Sequence, residues 1–94
     1  MTIDKVQDGA KLTVKVSGRL DTTTAPELED DLKASLDGIE DLTMDFSDLE
    51  YISSAGLRVL VLAVKKLGKD SVKLDNASDE IRGILETAGF TSLL

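Results

Sequence analysis

Two adjacent serines, Ser53 and Ser54, stand between an acidic stretch and a long apolar run in the segment Asp48–Arg58, DLEYISSAGLR. A hydroxyl placed there could attack a substrate, accept a phosphoryl group, or cap the helix that the apolar run predicts. Attack requires a base within hydrogen-bond reach. The chain has neither His nor Cys, and Lys65 and Lys66 lie ~17 Å or more from Ser54 along that helix at its usual rise per residue. There is no G-x-S-x-G elbow and no phosphate-cradling glycine run, since Gly56 stands alone. The neighbours Asp30 and Asp31 fall mid-helix and read as a solvated face rather than a catalytic pair. These residues predict a protein that is not an enzyme and uses no metal or cofactor.

Two roles remain for the serines. Serine is among the favoured N-cap residues, because its oxygen accepts a backbone N–H that the helix leaves unpaired. The same helix start exposes free N–H groups and the positive end of the dipole, which accommodate a phosphate. Asp45, Asp48 and Glu50 precede the serines, and Asp21 lies in a second strand-to-helix loop expected at the same end of the sheet.

The elements that position these residues follow from hydrophobic period. TIDKVQ and KLTVKVSG, separated by Asp8-Gly9, predict a β-hairpin, with Leu12, Val14 and Val16 on its buried face. In TTTAPELEDDLKASLDG, Thr24 and Glu27 have capping-box spacing and Pro26 suits a first helical turn. Leu28, Leu32 and Leu36 then form a helical stripe ending near Gly38. DLTMDFS predicts a third strand. SAGLRVLVLAVKKLG predicts a second helix with Leu57, Leu60, Val61, Val64 and Leu67 on one face. SVKLDNA predicts a fourth strand, and Ser78–Glu86 a third helix with Ile81, Ile84 and Leu85 inward. The resulting order is a hairpin followed by αβαβα: an α/β fold with a small mixed sheet and helices packed against it.

Composition narrows the partners. With 18 acidic residues against 11 basic ones the net charge is −7, which disfavours nucleic acid and an anionic membrane. Aromatic residues make up 3% of the chain, so stacking platforms for bases are not expected. The start lacks the pattern of a secretion signal, and the run from Leu57 to Leu67 is too short to span a bilayer, so a cytoplasmic location is expected.

Residues 45–60, DFSDLEYISSAGLRVL, resemble the phosphorylation-site segment of the bacterial anti-sigma factor antagonists of the STAS domain family. Residues 18–28, GRLDTTTAPEL, resemble that family's first conserved loop, and the order of elements matches along nearly the whole chain. The resemblance implies one STAS domain over residues 1–94. It also implies a function: the unphosphorylated protein binds an anti-sigma factor, commonly a serine kinase that itself binds ATP, and so releases a sigma factor. Phosphorylation switches binding off, and a serine phosphatase restores it. The family's acceptor lies two residues before a Gly-Leu pair, which implies Ser54. An aspartate often precedes the acceptor, where this chain has Ser53, and Ala55 stands where a second hydroxyl residue is common. Asp21 matches an acidic residue beside the acceptor, and Thr22, Ser53, Ala55, Gly56, Leu57 and Arg58 are implied to lie at or near the partner surface. The alternative is a STAS-type ligand-binding or scaffold module that holds an anion or nucleotide and is not regulated by phosphorylation.

Overall fold

A computed structural model describes residues Met1–Leu94. Strands β1 (Thr2–Asp8) and β2 (Lys11–Leu20) form the hairpin. Asp8 pairs with Lys11, so the turn is Gly9-Ala10 rather than Asp8-Gly9. Gly9 has φ +62°, and glycine at the first position of a two-residue loop is the II′ pattern that matches strand twist. Helix α1 (Ala25–Ser35), strand β3 (Asp41–Asp45), strand β4 (Leu49–Ile52), helix α2 (Ser54–Leu67), strand β5 (Val72–Asp75) and helix α3 (Asp79–Thr87) follow. Short 3₁₀ turns cover Lys69–Ser71 and Thr91–Leu93.

The sheet runs β1-β2-β3-β5, with β4 also paired to β2. The hairpin is antiparallel and every other pairing is parallel. The long β2 serves two neighbours in turn: Lys11–Lys15 pair with β3, and Gly18–Leu20 pair with β4. Leu12, Val14, Val16, Leu42, Met44, Val72 and Leu74 are buried on one face beneath the helices. The alternating residues Lys11, Thr13, Asp41, Thr43 and Lys73 lie on the opposite face, as the two-residue period requires. All 23 buried side chains of the core are apolar, and no polar side chain is buried.

Strand β4 departs from the expectation of four strands with an acidic loop before the serines. The register between β2 and β4 shifts between Gly18 and Arg19: Gly18 pairs with Leu49, but Arg19 pairs with Tyr51. The extra residue, Glu50, is a bulge, and it lets Leu49 and Ile52 both point into the core. Two apolar residues three apart break the period of two, so the strand carries no alternating signature.

Two further expectations change. Thr24 makes no side-chain cap on α1, because its hydroxyl accepts from the Asp21 amide (2.9 Å) and donates to the Arg19 carbonyl (2.8 Å). On α2 the deepest residues are Gly56, Val59, Leu60 and Ala63, while Leu57, Val64 and Leu67 are half-buried and Val61 is exposed. The helix leans onto α1 as well as the sheet, and Val59 and Ala63 line one cleft with Leu32 and Leu36 on that side. Asp31, read from sequence as solvated, takes an ion pair from Lys5 of β1 at 2.6 Å.

Candidate functional site

Strands β2 and β4 end side by side, with Leu20 opposite Ile52. The Ser53 amide donates to the Leu20 carbonyl at 2.9 Å, carrying the ladder one residue further. Two strand-to-helix passages therefore open next to each other, one carrying Asp21 and Thr22, the other Ser53 and Ser54. The sequence placed the Asp21 loop at the same end of the sheet as the serines; the β2–β4 pairing makes the two loops neighbours.

The two serines divide the work of a helix start. Ser53 is the N-cap, in extended conformation, and its hydroxyl accepts from the Gly56 amide at 3.4 Å. Ser54 is the first helical residue; its side chain is exposed and makes no hydrogen bond within the protein. The cap is thus satisfied without Ser54, whose hydroxyl is left free at the positive end of the helix dipole.

Asp21 orders the turn that leads into α1. Its Oδ1 accepts from the Thr23 amide (3.0 Å) and the Thr24 amide (3.1 Å), and its carbonyl accepts from Ala25 (2.8 Å). The Thr24 amide, followed by the Thr23 amide and the more distant Arg19 charge, holds the Asp21 carboxyl below its ordinary value, against the opposing effect of desolvation. Its stabilisation is therefore complete above about pH 3.8, the ordinary value, and lost as pH falls through the lower folded-state value. Asp21→Asn keeps an acceptor oxygen but cannot titrate, so its acid unfolding limb below that pH is expected to be shallower than that of the native chain. Chemical denaturation at a series of pH values measures this, and parallel limbs would contradict the assignment.

Around this pair of loops the structure assembles Thr22, Ala55 and Arg58 with Pro26 and Glu29 of α1, all bordering one shallow hollow. Pro26, expected only as a first-turn residue, and Glu29 were not among the site residues expected from sequence; the packing of α1 against α2 brings them there. Arg19 lies with its guanidinium carbon 4.4 Å from the centre of the Tyr51 ring and its Nε 3.7 Å from Asp21 Oδ2. The Arg19–Tyr51 contact follows from the β2–β4 register and has no local signal in the sequence. Gly56 is buried beneath the site, and Leu57 is half-buried toward α3, beside Ile84.

Of the acids that precede the serines, Asp45 and Asp48 are engaged elsewhere, while Glu50 is the exposed bulge residue of β4. Asp45 Oδ1 accepts from the Ser47 amide (2.9 Å) and Asn76 Nδ2 (3.2 Å), and the Ser47 amide foremost keeps its carboxyl below the ordinary range. Asp48 pairs with Lys15 at 2.9 Å and raises the lysine's pKa. Both contacts lie on the uncovered face of the sheet, leaving Asp21 as the acid next to the serine loop with a defined structural role.

Comparison with known proteins places the chain in context. Residues 3–94 match the family model described as "Mlab, STAS domain". BtrV of Bordetella bronchiseptica is 35% identical over 99% of this chain and 81% of its own length. The anti-sigma-B factor antagonist of Staphylococcus aureus is 34% identical over 86% of this chain and 78% of its own. Among solved structures, the unphosphorylated form of the anti-sigma factor antagonist SpoIIAA superposes with a TM-score of 0.87 at 13% identity, covering 98% of this chain and 84% of that one. The phosphorylated form of the same Bacillus protein gives 0.78 at 13% identity, covering 98% and 87%. At that identity the likeness to SpoIIAA is one of fold: a mixed five-stranded sheet with three helices.

Proposed function

The chain belongs to the STAS domain family, and from that premise we propose that it is an anti-sigma factor antagonist whose switch is phosphorylation of Ser54. Unphosphorylated, it binds an anti-sigma factor and frees the sigma factor; the anti-sigma factor is a serine kinase that holds ATP and modifies Ser54, and a serine phosphatase reverses the modification. The whole chain acts as one STAS domain, and its role is regulatory rather than catalytic. The observation that carries this reading is the division between the serines, in which Ser53 caps α2 and Ser54 presents an uncommitted, exposed hydroxyl. The relative from Staphylococcus aureus is named as an antagonist of this type, and SpoIIAA, of the same fold, is described in both phosphorylated and unphosphorylated forms.

The surface that meets the anti-sigma factor comprises Thr22, Ala55 and Arg58 around Ser54. Asp21 holds the Thr22 turn in place through its amide bonds, and Gly56 and Leu57 support the helix start from below. Serine in place of the family's usual aspartate at position 53 keeps a good cap and removes one negative charge next to the acceptor.

Intact-mass measurement after incubation with an anti-sigma kinase and ATP tests the reading. One phosphate is expected on the native chain and on Ser53→Ala, and none on Ser54→Ala. Modification of Ser54→Ala to the same extent would move the acceptor elsewhere, and stable binding with no modification of the native chain would favour a scaffold module that is not switched.

A further inference from the structure

The chain is strongly acidic, yet from Tyr51 to Lys69 it contains no acid and four cations, Arg58, Lys65, Lys66 and Lys69. Seven of its 11 basic side chains are in ion pairs, and those left without one are Lys11, Arg58, Lys65 and Lys69. Three of these four unpaired cations belong to α2 and the turn directly behind it. Residues three and four apart share a helix face, so Arg58, Val61, Leu62 and Lys65 form one outward stripe. Val61 and Leu62 are 37% and 40% exposed, two of only four large apolar side chains that the surface shows. Val61, Lys65 and Lys69 border one hollow beside Phe90 and Leu93. A surface shaped by solubility alone intersperses both signs of charge and keeps apolar side chains apart; this stripe segregates cations around aliphatic residues in a chain with acids to spare.

The structure assigns this stripe as a docking surface for a protein partner that presents carboxylates interleaved with aliphatic side chains. Charge complementarity selects that chemistry: unpaired cations attract carboxylates, and the aliphatic pair between them is covered when they meet. A lipid surface is a poorer match, since two partly exposed aliphatic side chains without an aromatic anchor insert little, and a net charge of −7 opposes approach to an anionic bilayer. Arg58 is shared with the surface around Ser54; from there the stripe runs on to Lys65, ~17 Å beyond Ser54 along α2.

The test titrates the ¹⁵N-labelled chain of residues 1–94 with a synthetic helical peptide carrying Glu and Leu at alternating i, i+3 and i+4 positions. A control peptide has every Glu replaced by Lys, and vesicles of phosphatidylcholine and phosphatidylglycerol form a third arm. The Glu peptide is expected to shift the amides of residues 58–69, more strongly at low salt. Lys65→Glu/Lys69→Glu should weaken its affinity at least about tenfold, and Leu62→Ser should weaken it with the charges intact, both variants keeping the native circular dichroism. Ser54→Ala should leave the shifts in place, so loss of docking and loss of phosphorylation are read separately. Equal response to the Lys peptide, shifts dispersed over the molecule, no response, or binding to vesicles instead of the peptide would each overturn the assignment.

Discussion

Phosphoserine at position 54 is expected to weaken binding to the anti-sigma factor at least about 100-fold while leaving the melting temperature nearly unchanged. The modification adds about −1.5 to −2 charges at neutral pH. Placed unpaired against a desolvated partner surface, such a charge costs several kcal/mol, and about 2.7 kcal/mol is already 100-fold. Within the protein the same charge breaks nothing, because the Ser54 side chain makes no hydrogen bond and the α2 cap belongs to Ser53. It sits at the helix end that favours a negative charge by about 0.3–1 kcal/mol, one turn from Arg58, which has no ion pair. Calorimetric titration and thermal melting on the same phosphorylated sample separate the two effects. Unchanged affinity would remove the switch; lost affinity together with a steep fall in melting temperature would show that the charge acts by unfolding α2. Ser53→Ala should show the converse, losing about 0.5–1 kcal/mol of stability with the cap while still accepting phosphate at Ser54.

Gly56→Ala is expected to destabilise the fold, whereas Gly83→Ala, the same chemical change in another helix, should leave it equally or more stable. A Cβ at Gly56 would stand 2.8 Å from Leu20 Cγ and 2.9 Å from Ile52 Cγ1, both on buried side chains, while one at Gly83 would meet nothing within 4 Å. Alanine improves helix propensity by up to about 1 kcal/mol at either site. At Gly56 that gain is opposed by overpacking, typically about 1–3 kcal/mol, leaving a net loss of up to about 2 kcal/mol, and Gly56→Val should lose more. Each kcal/mol shifts the melting point of a domain this size by roughly 4–8 °C, so thermal melting resolves the contrast. A Gly56→Ala protein as stable as Gly83→Ala would mean that α2 does not rest on Leu20 and Ile52 as closely as the structure has it. The consequence reaches function: Leu20 and Ile52 end the two strands whose loops carry Asp21 and Ser53, so their contact with Gly56 sets the start of α2 against both loops.

The hairpin, the three helices and two of the three remaining strands are legible because each obeys one period. Leu12, Val14 and Val16 alternate, and Leu28, Leu32 and Leu36 repeat by helical turns. Strand β4 was not legible, because the bulge at Glu50 turns Leu49 and Ile52 to the same side. The buried face of α2 was misjudged at Val59 and Val61 for a related reason. A helix apolar around much of its circumference does not announce which face is buried, and contact with α1 decided it.

For the site, residue order was enough to bring attention to Ser53, Ser54 and Asp21, since caps, turns and a recurrent motif are local in the chain. Local signals also identified Thr24 as a helix-start residue, but not that its hydroxyl would be spent on the Asp21–Thr24 turn rather than on a cap. Sequence by itself determined the elements, the acidic balance, the absence of a histidine or cysteine base and the pair of serines. Only the tertiary structure decided which serine is spent on the cap and which is free, why glycine stands at position 56, that Arg19 meets Tyr51, and that unpaired cations gather on one stripe of α2. Those facts depend on strand register and helix packing, which join residues distant in the chain and are fixed by the burial of the whole core rather than by any local pattern.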